Sequence, residues 1–87
     1  MDYRYKIGQK VRVRKDLSHY NLYYMKSGPG WNESRTCAMS SQVALAGEEV
    51  TIRDYFEANY LVKGSNWRWT DEMFEDSRKM CYCKSLL

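Results

Sequence analysis

Four short segments with the residue patterns of β-strands constrain the fold of this chain most strongly. In Lys10–Arg14, KVRVR, the valines lie on one side of an extended backbone and the arginines on the other, which is typical of a half-buried strand. Three further strands are predicted at EEVTIRDYF (48–56), NYLVKG (59–64) and WRWT (67–70). We expect Val50 and Ile52 to face inward, and Trp67 and Trp69 to share one face of the last strand.

Two short helical elements are predicted between and after these strands. TCAMSSQVALAG, residues 36–47, predicts a short helix with Gly47 as its left-handed C-cap. DEMFED, residues 71–76, predicts a helical turn capped by Thr70 or Asp71.

A long polar and aromatic segment separates the first strand from the helix. Residues 15–34 have no strand or helix pattern, and Ser-Gly-Pro-Gly at 27–30 predicts a loop tip. A loop of about twenty residues is uncommon in a small domain and is usually functional or mobile. At 87 residues the chain is one domain, with a core at about 6–75 and a tail at 76–87. The fold class predicted is mainly β with one or two short helices, a small SH3-like open barrel with a long first loop.

Three segments also carry a resemblance to a known group of proteins. KIGQKVRVRKDL (6–17), GEEVTIRDY (47–55) and WRWTDEMFE (67–75) resemble small SH3-like proteins of phages and mobile elements of Gram-positive bacteria. Members of that group commonly begin with a G-x-K-V-x-V strand and end with a Trp-rich strand followed by T-D-E-M-F. The resemblance covers residues 6–17 and about 43–75, so residues 18–42 and the tail depart from it. It implies a host-directed accessory protein, and the leading hypothesis is an anti-CRISPR protein that binds a type II CRISPR nuclease.

Several functional classes lack support in the sequence. No run approaches the ~18 apolar residues of a membrane span, and MDYRYKIGQK has no apolar signal-peptide core. We therefore expect the protein in the cytoplasm of the host bacterial cell. With one histidine, no G-x-S-x-G and no H-E-x-x-H, an enzyme is not expected.

The cysteines and the histidine predict a structural zinc site. In an extended tail Cys81 and Cys83, two residues apart, present both sulfurs to one face, where they could reach one ion. The full predicted ligand set is His19, Cys37, Cys81 and Cys83, a closed tetrahedral shell typical of structural zinc. If His19 is not the fourth ligand, Asp16 or Asp76 would be the next candidates. In the alternative interpretation Cys37 is a small buried hydrophobe, His19 lies on the surface and the tail is frayed.

The long loop contains the candidate partner-binding residues. Tyrosine, tryptophan and arginine dominate binding hot spots, and this segment is rich in them. The candidates are Tyr20, Tyr23, Tyr24, Lys26, Trp31 and Arg35. Tyr23, Tyr24 and Trp31 are the ones we expect to be exposed if any are, whereas the alternative is that the segment folds over the barrel as a second layer of core.

A nucleic-acid-binding accessory protein is the second functional hypothesis. Residues 1–35 carry eight Lys/Arg against three acidic residues, and residues 36–78 carry four against eight, for a net charge of +3 over the chain. Basic residues interleaved with aromatic rings suit single-stranded nucleic acid. The acidic second half and the absence of an RNP-like motif favour a protein partner instead.

Overall fold

The computed structural model describes residues 2–75 and shows a mainly β domain with two short helical elements. The strands are β1 (Lys10–Arg12), β2 (Leu22–Tyr24), β3 (Arg35–Cys37), β4 (Glu49–Phe56) and β5 (Asn59–Val62), and the helical elements are α1 (Ser40–Val43) and a 3₁₀ helix (Asp71–Met73). The predicted fold class, mainly β with one or two short helices, is confirmed. Within residues 2–75 no helix has the length and apolar character needed to cross a bilayer.

A three-stranded antiparallel sheet in the order β1, β4, β5 forms most of the barrel wall. Val11 lies opposite Val50, and Ile52 lies opposite Val62 across the next pair. Because side chains alternate across a strand, this register points Val11 and Ile52 into the core, where they are 6% and 0% exposed. The predicted inward faces of β1 and β4 are therefore confirmed, with Val50 half-buried.

The two edges of this sheet approach each other through residues that are close in the sequence. Trp69 makes an isolated bridge to Tyr60 on β5, and Phe74 makes one to Val13, just after β1. The Trp69 and Phe74 rings stack with their centroids 5.6 Å apart. Since one short segment borders both edges of the sheet, the sheet curls into an open barrel around these rings.

The last predicted strand differs from the expectation. Trp69 is fully buried, whereas Trp67 is 45% exposed, so the two rings do not share a face. Ser65 Oγ accepts hydrogen bonds from the Trp67 backbone N–H and the Trp69 indole N–H, both at 3.3 Å. These bonds hold Trp67 in the turn, and regular pairing with β5 is limited to the single bridge at Trp69.

A hairpin of β2 and β3 lies within and beyond the segment predicted to be a loop. Its turn, residues 25–34, contains the predicted Ser-Gly-Pro-Gly, although Ser27, Gly28 and Gly30 are buried rather than forming an exposed tip. Residues 36 and 37 belong to β3, so the predicted helix at 36–47 is reduced to α1. Gly47 does have the predicted left-handed backbone, with φ of 82°.

A buried polar cluster fixes the hairpin turn to the barrel. Asp71 Oδ2 accepts hydrogen bonds from the Lys26 backbone N–H at 2.6 Å and from Ser27 Oγ at 2.8 Å. Its Oδ1 accepts one from the Tyr60 hydroxyl. The Arg4 backbone N–H donates to Ser27 Oγ at 2.8 Å and brings the N-terminal arm into the same cluster. Desolvation by burial, followed by the bond to Asp71, raises the pKa of Tyr60 above its ordinary value.

Candidate functional site

The outward side of the β2–β3 hairpin is the candidate binding surface. Tyr23 points inward, so its neighbours Leu22 and Tyr24 point outward, and the register places Cys37 opposite Leu22 and Arg35 opposite Tyr24. We call Leu22, Tyr24, Arg35 and Cys37 the hairpin face. Leu22 is 50% exposed, Arg35 is exposed, and the other two are half-buried.

Two cations flank the Tyr24 ring. Lys26 Nζ lies 5.6 Å from the ring centroid and Arg35 Cζ lies 6.0 Å from it. The Lys26 ammonium also donates to Asn32 Oδ1 at 3.2 Å. In the part of the chain that the structure describes, neither cation forms an ion pair with a carboxylate. The hairpin face therefore presents an aromatic ring beside two positive charges that, within residues 2–75, are not paired with a carboxylate.

Two exposed aromatic residues extend this surface at either end of the hairpin. Trp31, in the turn, is 50% exposed, and Tyr20, just before β2, is 69% exposed. Tyr20 has a φ of 69° and stacks on His19 with centroids 3.8 Å apart. A bulky residue with positive φ costs free energy, and such strain is concentrated at functional sites.

Five of the six predicted partner-binding residues lie on or beside the hairpin face, and one does not. Tyr23 is 7% exposed, so its expected exposure is wrong. Its hydroxyl accepts a hydrogen bond from the Ser18 backbone N–H at 2.9 Å, and the Arg14 guanidinium lies 5.5 Å from its ring. The cause is strand alternation, because Tyr23 and Tyr24 are adjacent residues of β2 and must face opposite sides.

The predicted zinc ligands are only partly within the described residues. His19 Nε2 is 3.0 Å from Ser40 Oγ, and Cys37 is a half-buried free thiol. The bond from the Tyr20 N–H to the Ala38 carbonyl, 2.9 Å, shows that the segments after His19 and Cys37 meet at the open end of the hairpin. Among residues 2–75 no group of three potential ligands comes together, and Cys81, Cys83 and Asp76 lie outside those residues.

Asp16, the other alternative ligand, is already engaged in an ion pair. Its carboxylate accepts two hydrogen bonds from the Arg14 guanidinium, at 2.7 and 3.0 Å. These bonds lower the pKa of Asp16 below its ordinary value. A metal would have to displace Arg14, so Asp16 is a poorer candidate than His19.

A second exposed aromatic surface was not predicted from the sequence. Phe56, at the end of β4, is 48% exposed, and the Arg68 guanidinium lies 5.0 Å from its ring. Glu57 forms an ion pair with Arg68 at 2.7 Å. Glu57 and Ala58 both have positive φ. An Asn-Gly sequence would have indicated such a turn, whereas Glu-Ala does not. Because its charges are paired, this surface offers less to a charged partner than the hairpin face does.

Comparisons with known proteins give no match: no family model, curated protein or solved structure is similar to the chain. The hairpin face and the sequence segments that resemble phage proteins are therefore the basis for proposing a function.

Proposed function

We propose that this protein is a phage-encoded, non-catalytic inhibitor of the anti-CRISPR kind, which binds a type II CRISPR effector nuclease in the host cytoplasm and blocks DNA loading or cleavage. The observation that carries the proposal is Tyr24 held between Lys26 and Arg35 on an exposed hairpin. Tyrosine and arginine are the residue types that dominate binding hot spots, and Trp31 adds a third at the same turn. The choice of target follows the resemblance of the barrel segments to phage proteins.

The charge of the hairpin face restricts how such an inhibitor would act. The guide and target strands of these nucleases lie in a positively charged channel. A face carrying Lys26 and Arg35 would be repelled from that channel and fits an acidic surface of the nuclease. The protein would then inhibit by covering an entry route or by holding the nuclease in a conformation that cannot load or cut DNA, without any bond being made or broken by the inhibitor.

A cleavage assay tests this proposal directly. The purified protein is titrated into a type II nuclease either before or after guide RNA is added, and cleavage of a matched plasmid is followed. We expect loss of cleavage together with a stable complex on gel filtration. Inhibition only when the protein is added before the guide would place the block at guide loading. Cleavage that is untouched at saturating protein would overturn the proposal.

The arrangement around Tyr24 also favours a second candidate, a small nucleic-acid-binding accessory protein. A ring flanked by a lysine and an arginine can stack on a base while the cations contact phosphates. Binding through phosphates must weaken steeply and log-linearly with salt. A fluorescence-anisotropy series with single- and double-stranded probes from low to high salt therefore separates the two candidates, and no binding at low salt removes this one.

We also propose the predicted structural zinc at His19, Cys37, Cys81 and Cys83. His19 and Cys37, the two proposed ligands within the described residues, are chemically suited to zinc. Their imidazole and free thiol lie on adjoining segments at the open end of the hairpin. Thiolate and imidazole together select zinc over magnesium or calcium. The ion would tie the hairpin to the tail and take no part in chemistry on a substrate.

A further inference from the structure

The outer edge of β3 has no strand partner among residues 2–75. Among the elements that the structure describes, β3 contacts β2 alone. The opposite edge of β2 is covered by the 3₁₀ helix, where the Glu72 carboxylate accepts a hydrogen bond from the Tyr24 backbone N–H at 2.7 Å. The hairpin is therefore attached to the barrel along β2 and at Ser34, just before β3, whose Oγ accepts a hydrogen bond from the Asn59 amide at 3.0 Å, and β3 is its edge strand.

The pairing of the hairpin shows which backbone groups of β3 point outward. Two backbone hydrogen bonds bracket the hairpin: Met25 N–H to Ser34 O at 2.8 Å, and Ala38 N–H to Asn21 O at 3.1 Å. Bonded and non-bonded pairs alternate in an antiparallel ladder, so Arg35 and Cys37 belong to non-bonded pairs and direct their N–H and C=O groups away from β2. Tyr24 agrees with this assignment, since its own N–H points away from β3 toward Glu72.

The charges beside this edge select an acidic occupant. Arg35 lies on the edge strand, and Lys26 approaches the same Tyr24 ring, with no carboxylate paired to either within residues 2–75. Glu33 is exposed just before the strand and the Glu72 carboxylate lies across β2 from this edge, so Arg35 is the one charged residue on the edge strand itself. Residues 76–87 contain three basic residues and one acidic residue, so they are a poor electrostatic match for this edge. A second copy of the chain would bring another Arg35 to it.

We infer that β3 binds an extended acidic segment of a partner protein, which adds a strand to the hairpin through the outward N–H and C=O groups of Arg35 and Cys37. In this mode backbone hydrogen bonds hold the segment, and alternate side chains give specificity. Carboxylates of the segment would lie near Arg35 and Lys26, while its apolar side chains would pack on Leu22 and Tyr24. The inference deepens the proposed inhibitor function and rests on the same surface.

Amide hydrogen exchange measured by NMR on the full-length protein tests this inference. The probe is a seven-residue peptide in which glutamate alternates with valine, compared with a peptide that has lysine in place of glutamate. We expect the Arg35 and Cys37 amides to exchange fast in the free protein and to become protected when the glutamate peptide is added, with Thr36 protected throughout. The lysine peptide should not protect them. Equal effects of the two peptides, or no protection up to about 1 mM peptide, would overturn the inference.

Two variants of Cys37 separate the backbone contact from the side chain. Both variants remove the thiol, but only Cys37→Pro also removes the outward N–H, and it leaves the inner ladder bonds intact. Loss of the thiol is common to the two variants, so their difference reports the N–H alone, and we expect Cys37→Pro to bind the glutamate peptide about fivefold to tenfold more weakly than Cys37→Val. Retained protection of the Thr36 amide shows that the hairpin is folded in both. Equal affinities of the two folded variants would contradict the inference.

The remaining outcomes are also decisive. Protection of Arg35 and Cys37 in the free protein that grows with protein concentration would assign the edge to a second copy, and protection that is independent of concentration would assign it to the chain itself. Either result overturns the inference. Peptide protection without nuclease inhibition would leave the edge site standing and remove the anti-CRISPR proposal. Full inhibition of the nuclease by Cys37→Pro would leave the anti-CRISPR proposal standing and remove the edge site.

Discussion

The Tyr60 hydroxyl donates a hydrogen bond to Asp71 Oδ1 at 2.5 Å, and neither side chain is more than 1% exposed. The second carboxylate oxygen of Asp71 receives the Lys26 N–H and Ser27 Oγ. A single buried carboxylate therefore joins β5 to the turn that carries Lys26, so the position of the candidate site depends on a residue that does not belong to it.

Replacing Asp71 should loosen the hairpin as well as destabilise the fold. In Asp71→Asn one oxygen becomes an NH₂ group that faces donors, so at least one buried donor loses its acceptor. We expect a loss of about 2–3 kcal/mol in the free energy of unfolding, measured by urea denaturation. Glu49→Gln, an exposed change on β4, is the control and should stay within about 0.5 kcal/mol of the original protein. Equal stabilities of the two variants would contradict the role given to Asp71.

The raised pKa of Tyr60 predicts a loss of stability at alkaline pH. An unfolded tyrosine releases its proton near pH 10, whereas burial and the bond to Asp71 keep the folded one protonated to higher pH. The contribution of Tyr60 to the free energy of unfolding is therefore fully present below about pH 10 and is lost as the pH rises above it. Urea unfolding between pH 7 and 11 should show this decline, and Tyr60→Phe should show a shallower one. The other tyrosines, including Tyr3, whose pKa burial also raises, are common to both proteins. The same dependence of the unfolding free energy on pH in both proteins would contradict the role given to Tyr60.

Two adjacent tyrosines should respond differently to alanine. Tyr23→Ala removes a buried ring and should cost about 3–4 kcal/mol of unfolding free energy. Tyr24→Ala removes a half-buried ring and should cost about 2 kcal/mol less while weakening partner binding by at least ~1 kcal/mol. Thermal unfolding and titration calorimetry measure the two effects. A large stability loss in Tyr24→Ala would mean that the ring belongs to the core and not to the binding surface.

Alanine substitutions at two glycines with positive φ distinguish the cost of backbone strain from the cost of a steric clash. Gly28 and Gly64 have φ of 72° and 84°, but a Cβ on Gly28 would lie 2.8 Å from Tyr3 Cδ1 whereas one on Gly64 would meet nothing within 4 Å. Gly64→Ala should cost about 1–2 kcal/mol from strain. Gly28→Ala should cost about 2–4 kcal/mol, because it also displaces Tyr3 from its stack on Tyr55. Similar losses of unfolding free energy for both would show that the N-terminal arm moves aside freely.

The zinc proposal predicts one metal ion per chain. Elemental analysis of protein purified without a histidine tag should give about one zinc per chain, and a Cys81→Ser/Cys83→Ser double variant should lose it with a large fall in melting temperature. His19→Ala, measured beside Asp16→Ala, would identify the fourth ligand. Protein that contains no zinc would remove the proposal and leave the hairpin face as the whole candidate site.

Alternation was sufficient to predict β1 and β4, but it misplaced Trp67 and did not reveal the hairpin. Val11 of β1, Val13 just after it and the Val50–Ile52 pair of β4 lie in short alternating segments near turn residues, and this pattern predicts that they face inward. In β2 the same alternation is present, with Leu22 and Tyr24 outward and Tyr23 and Met25 inward, but it spans four residues and leads into a ten-residue turn, which is a weak signal.

The buried cluster had no sequence signal at all. Its hydrogen bonds join Asp71 to Ser27, 44 residues away, and Tyr60 to Ser27, 33 residues away. Such contacts follow from how the barrel closes, which depends on long-range packing and not on local pattern. Asp71 itself was expected at the start of the 3₁₀ helix as a cap, and the structure shows that its carboxylate serves the core.

The most direct test of the central claim compares two exposed tryptophans for binding to the nuclease. Trp31, 50% exposed, extends the hairpin face, and Trp67, 45% exposed, lies in the turn that precedes Trp69. Titration calorimetry with the type II nuclease should show that Trp31→Ala weakens binding by at least about tenfold while Trp67→Ala does not, with both variants melting near the original temperature. Equal binding by the two variants, or a loss confined to Trp67→Ala, would contradict the account.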